Sequence, residues 1–223
     1  MIIGLVLLGL VAVLLFFGIA ERVFKSFGVA YWLAFVMIGL LIGSAFVPTF
    51  AIGNVTFNVA GFIAPVVFAV VFYVLAARTH EAAHAVVASS VTVALAVSVN
   101  LVISPLVSDT VNVIIVGFLC GAVAFLVAKT KLAALAGVFS GIPIAELISS
   151  AVDMYVYDMP LRFGSAAAFD AVILSAVFSV VLFEAVSAIK RTVNIKQKRK
   201  AAARLSEQSD DFDPDEYKKY FDE

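Results

Sequence analysis

Apolar residues fill the first 188 positions in seven long stretches. They run from Ile2 to Ala20, Val29 to Val47, Val59 to Ala77, Ala82 to Leu101, Val111 to Ala128, Leu132 to Ala151 and Ala167 to Ala188. Each matches the roughly 20 residues a helix needs to cross a bilayer core. The apolar character goes all the way round each predicted helix, so these are not surface helices with one wet face. Outer-membrane strands would alternate apolar and polar positions over about ten residues, and these stretches do not. The pattern predicts an all-α fold: a polytopic transmembrane helix bundle of about seven spans over residues 1–188, followed by a charged tail over 189–223.

The charges between the stretches alternate. Arg22 and Lys25 follow the first, Arg78 the third, Lys129 and Lys131 the fifth, and a basic run from Lys190 to Arg204 the seventh. The intervening loops are almost free of cations. Pro48 to Asn58 has no charge, Ser104 to Thr110 has only Asp109, and the sixth-to-seventh loop holds Asp153, Asp158 and Arg162. Basic residues beside spans stay cytoplasmic, so the N-terminus is expected outside and the C-terminus inside. The first stretch lacks the positive start of a signal peptide. Cleavage near Ala20 would also strand Arg22 and Lys25 outside, so it is read as a span.

Composition narrows the class further. Of the 223 residues, 63% are apolar and 14% charged, which excludes a water-soluble monomer. A single cysteine, Cys120, excludes a disulfide-stapled domain. The tail reads as a basic run, Ile189 to Leu205, then an acidic run, Ser206 to Glu223. Cations just inside a membrane fix topology and attract anionic lipid. The acidic half nearly cancels the basic half, which argues against nucleic acid. The expected partners are the lipid bilayer and anionic lipid at the tail; a protein docked on the tail is a further reading.

Ionisable groups inside a bilayer are costly and mark functional sites by default. Glu146, Asp170 and Glu184 qualify. A rise of about 1.5 Å per residue puts Glu146 about 21 Å in from the cytoplasmic edge and Asp170 about 5 Å from the outer edge. The two carboxylates can therefore share one level in the outer half, with Asn100 near it. A close pair would share a proton, which suits proton coupling, cation binding or aspartyl-type hydrolysis. Alternatively, Asp170 caps the start of the seventh span, and Glu184 reaches the cytoplasmic interface beside Lys190 and Arg191. Gly137, Gly141 and Pro143 precede Glu146. They predict either a broken helix lining a cavity or a kink at a close helix crossing.

Both histidines fall in one pentapeptide, His80 to His84, with Glu81 between them. On a helix, positions i and i+4 put two imidazoles on one face for zinc, with the glutamate as base on the metal-bound water. Glu146 and Asp170 are about 20 Å away in depth, which leaves Glu184 or Glu21 as the third ligand. Intramembrane metalloproteases resemble the chain at this pentapeptide alone, and their later Asp-Gly ligand motif does not occur here.

The order of features resembles an uncharacterised family of small polytopic membrane proteins of bacteria and archaea. The resemblance lies in the first span ending at Glu21 to Phe24, the segment Phe57 to Pro65, the sixth span up to Glu146, and the segment Phe163 to Ala171. It covers nearly all of Met1 to Ala188. It implies the same architecture and singles out Glu146 and Asp170, although the family pattern has Asp in the sixth span and Phe-Asp-Gly in the seventh. It brings no established activity, and implies the cell membrane of a prokaryote. Two adjacent spans with one acid each are also similar to presenilin-like aspartyl proteases, whose Tyr-Asp and Gly-x-Gly-Asp motifs are lacking here. The leading expectation is binding or transport of a proton, cation or small solute through Glu146, Asp170 and Asn100. The alternative is a membrane-embedded zinc hydrolase built on His80, Glu81, His84 and Glu184. An aspartyl-type protease and a tail-based scaffold are lesser alternatives.

Overall fold

The computed structural model describes residues 1–18 and 31–210, with side chains described up to Ile195 except that of Tyr31. Glu21, Arg22 and Lys25, and the acidic end beyond Asp210, lie outside the described residues. The chain divides into two compact units, Met1–Phe183 and Glu184–Glu223. The first unit carries every feature described below unless stated.

Seven α-helices lie among the described residues: α1 (Ile2–Phe16), α2 (Tyr31–Ser44), α3 (Ala64–Arg78), α4 (Ala82–Val102), α5 (Asp109–Val127), α6 (Lys131–Tyr157) and α7 (Ala166–Asp210). A π-helical turn, Val59–Ile63, leads into α3. Five helices are long and apolar enough to cross a membrane, whereas α1 and α2 are shorter apolar helices. The chain is thus an all-α membrane protein. The last expected span, read as ending at Ala188, continues helically into the second unit as α7.

The helix α6 is central. In its apolar stretch 78% of the residues are buried, against 28–44% in the other four long helices. Small residues make this possible. Gly137 faces Ala88 and Gly141 faces Thr92, so close that an added Cβ would sit 2.7 Å from each neighbour's Cβ. Lipid tails are as apolar as the helices, so association depends on such close packing and on hydrogen bonds between helices. The Ser89 and Ser140 hydroxyls meet at 2.8 Å across this contact. Pro143 does not break α6, which is one helix over its 27 residues. The kink-and-packing alternative describes Gly137 to Pro143 better than the broken helix. The packed face of α4 holds the glycine-rich turn in place.

One end of the bundle carries a small sheet that the sequence pattern left as loops. Strand β1 (Phe50–Ile52) and strand β2 (Val55–Phe57) form a hairpin, and β2 pairs in parallel with β3 (Leu161–Phe163). Gly53 takes φ +60° in the two-residue turn, a conformation that hairpin turns require and glycine adopts without strain. Phe57 stacks between Phe50 and Phe163 at centroid distances of 5.4 and 4.9 Å. The sheet ties the α2–α3 connection to the α6–α7 connection. At the opposite end, the turns before α4 and α6 are joined by a hydrogen bond from the Thr130 hydroxyl to the Glu81 carboxylate.

Candidate functional site: a carboxylate-lined cavity at the sheet end

A cavity of about 340 Å³ opens between α4, α5, α6 and the start of α7. Its character changes with depth. The floor is apolar and buried: Val113 and Val116 on α5, Ile142 on α6, and Ala171 on α7. One turn above Ile142 stands Glu146, level with Asn100 and Asn112. The rim holds Asp109, Asp153 and Arg162.

The sheet end positions the polar wall. Ser165 caps α7: its hydroxyl oxygen accepts the Ala168 N–H at 3.0 Å. Ser165 and Arg162 line the same wall as Glu146. Arg162 arrives on β3, where its backbone N–H donates to the Ser150 hydroxyl at 2.7 Å and its guanidinium reaches Asp153 at 3.4 Å. Ser165 is seated by glycines. A Cβ on Gly61 would fall 2.6 Å from the Ser165 nitrogen, and one on Gly164 (φ +83°) 2.6 Å from the Phe62 nitrogen. The Asn58 side chain accepts the Gly61 N–H at 2.7 Å and fixes the π-helical turn against this corner.

The two asparagines form a pair. Asn112 donates from Nδ2 to Asn100 Oδ1 at 3.2 Å, while Asn112 Oδ1 is buried without a partner. A buried acceptor left unpaired costs about 1–3 kcal/mol.

The expected site residues therefore part company. Glu146 and Asn100 share the cavity, but Asp170 is not on its wall. Asp170 instead faces α1, accepting the Gly4 N–H at 2.8 Å on Oδ1 and pairing with the Met1 ammonium at 2.8 Å on Oδ2. Each acid has its own partners, and the shared-proton pair is replaced by two separate arrangements. The expectation that Asp170 caps its own helix is corrected: Ser165 caps α7, and Asp170 satisfies the start of α1.

The histidine pentapeptide does not lie on one helix. His80 has φ +59° and ends α3. The His80 N–H bonds the Ala77 carbonyl at 3.2 Å and the Glu81 N–H bonds the Ala76 carbonyl at 2.8 Å, the two bonds of a Schellman cap with His80 in the left-handed position. The helix α4 starts only at Ala82. His80 and His84 therefore lack the one-face spacing that a zinc pair needs. Glu184 belongs to the second unit. No three His, Cys, Asp or Glu side chains gather among the described residues as a metal would require, so this ligand set does not fit zinc.

Sequence reasoning passed over Asn112, Ser165 and the role of Arg162. Asn112 had a signal, as a lone amide inside an apolar helix. Ser165 and Arg162 had none, because the β2–β3 pairing that delivers them joins segments about a hundred residues apart. Comparison of the chain with family models, with curated proteins and with solved structures finds no match.

Proposed function

We propose that this is a multi-pass protein of the cell membrane that binds or transports a proton, cation or small solute, with Glu146 at the centre of its site and Asn100 and Asn112 beside it. In this reading the N-terminus is outside, the sheet end faces outward, and the basic tail meets anionic lipid on the cytoplasmic side. The observation that carries the reading is the cavity itself. A carboxylate, an amide pair and an arginine converge on one opening in an otherwise apolar bundle. Ionisable groups at such depth are rarely incidental. Asp170 serves this site indirectly, by holding α1 against α7. The zinc-hydrolase alternative loses ground because His80 and His84 lie on either side of a helix break and not on one helix face.

The test is uptake into proteoliposomes of protons, sodium, potassium and a panel of small amines and amino acids. Flux that falls at least tenfold in both Glu146→Gln and Asn100→Ala, with Asp170→Asn close to wild type, supports the reading. Flux or binding indifferent to Glu146 ends it.

A further inference from the structure

We propose that the ligand of this cavity is a small organic ammonium, with its charged head against Glu146 and a short alkyl body on Val113, Val116 and Ile142. The inference rests on the reading of the cavity as a binding site and names the class of ligand. Three features point the same way. The wall carries three acids, Asp109, Glu146 and Asp153, against the single cation Arg162. An occupant with positive charge favours the ionised form of Glu146 at this depth.

Hydrogen-bonding capacity gives the second argument. As a carboxylate, Glu146 offers about four acceptor positions. An ammonium brings up to three N–H donors to such a carboxylate. A bare metal ion is a poorer match. Calcium takes six to eight oxygen ligands at short range, and the described residues bring no three acids or imidazoles together.

The floor gives the third argument. Below Glu146 the wall is Val113, Val116 and Ile142, each at most 5% exposed as residues and none with a polar side-chain atom. A hydrated inorganic ion gains nothing there, whereas an alkyl group does. A volume of about 340 Å³ corresponds to about ten waters at roughly 30 Å³ each, which is room for an amine of a few carbons.

The experiment is calorimetric titration of the full chain in lipid nanodiscs with methyl-, ethyl-, propyl- and n-butylammonium, and with sodium, magnesium, n-butanol and butyrate. Affinity should climb along the amine series by up to about fourfold per methylene, the worth of burying one CH₂. The alcohol and butyrate should bind at least tenfold more weakly than butylammonium, and Glu146→Gln should weaken butylammonium at least tenfold. The length series is read on the wild type, so it decides the matter even if the variant misfolds. Sodium or magnesium binding that depends on Glu146, with no dependence on alkyl length, overturns the ammonium inference and leaves the carboxylate site standing. Butyrate or butanol binding as well as butylammonium also overturns it. No binding by any cation in the set, together with fluxes indifferent to Glu146, removes both.

Discussion

Asp170 on α7 and Gly4 on α1 are joined across 166 residues of sequence by a hydrogen bond of 2.8 Å from the Gly4 N–H to the Asp170 carboxylate. Gly4 belongs to the first turn of α1, where backbone N–H groups have no partner within the helix. A carboxylate at a helix N-terminus satisfies one of them and meets the positive end of the helix dipole. The contact also needs glycine, since a Cβ there would lie 2.8 Å from Asp170 Oδ1 and 2.9 Å from the fully buried ring of Phe169.

Three substitutions follow from this contact, the first two read through stability. Asp170→Ala removes the acceptor of a buried N–H and should cost about 1–3 kcal/mol. Gly4→Ala should cost a similar amount by forcing α1 off α7. Both are read by thermal unfolding in detergent. Asp170→Asn keeps an acceptor oxygen and should leave binding in the Glu146 cavity within about twofold of wild type. A loss of binding equal to that of Glu146→Gln would return Asp170 to the site.

Much of this architecture was legible in the sequence, and the limits have physical causes. Apolar stretches located the seven helices of the described residues, and the five long ones match the roughly 20 apolar residues a bilayer crossing demands. The end of α6 was set too early, at Ala151. The helix runs on to Tyr157 because nothing from Val152 to Tyr157 breaks it, and Asp158 then ends it with φ +54°. The hairpin had a local signal, Gly53 and Asn54 between two short β-prone runs. Its partner strand β3 had none, since parallel pairing depends on where α6 and α7 place the chain. Glu146 and Asn100 were legible as polar residues at one depth. Which way Asp170 faced was not, because depth says nothing about azimuth.

His80 supplies the second prediction. It holds φ +59° at the end of α3, a position where glycine is preferred. His80→Gly should leave stability unchanged or raise it by up to about 1 kcal/mol, and His80→Val should lower it by about 1–2 kcal/mol. Thermal unfolding of the two variants side by side reads the difference. A catalytic metal ligand predicts the opposite pattern for activity, with both substitutions equally disabling.

The α4–α6 contact makes a third. Thr92 is fully buried and its hydroxyl has no partner. Thr92→Val replaces that hydroxyl with a methyl of similar size and should stabilise the bundle by about 1 kcal/mol. Gly141→Ala pushes a methyl toward Thr92 Cβ at 2.7 Å and Cγ2 at 2.8 Å, and should destabilise by about 1–3 kcal/mol. A neutral Gly141→Ala would mean that the two helices can separate at little cost.

Orientation decides which compartment the cavity serves. Tyr157 ends α6 at the sheet end and is 71% exposed, while the lone cysteine, Cys120, is fully buried. Tyr157→Cys therefore offers one reactive thiol beside the cavity mouth without removing Cys120. The alternating cations predict that the sheet end faces outward. A membrane-impermeant maleimide should label Tyr157→Cys in intact cells. It should label Thr79→Cys, in the turn between α3 and α4, only after permeabilisation. The reversed pattern would turn the bundle over and make the ligand of Glu146 a cytoplasmic one, and labelling of both positions in intact cells would contradict a bundle whose two ends lie on opposite sides of the membrane.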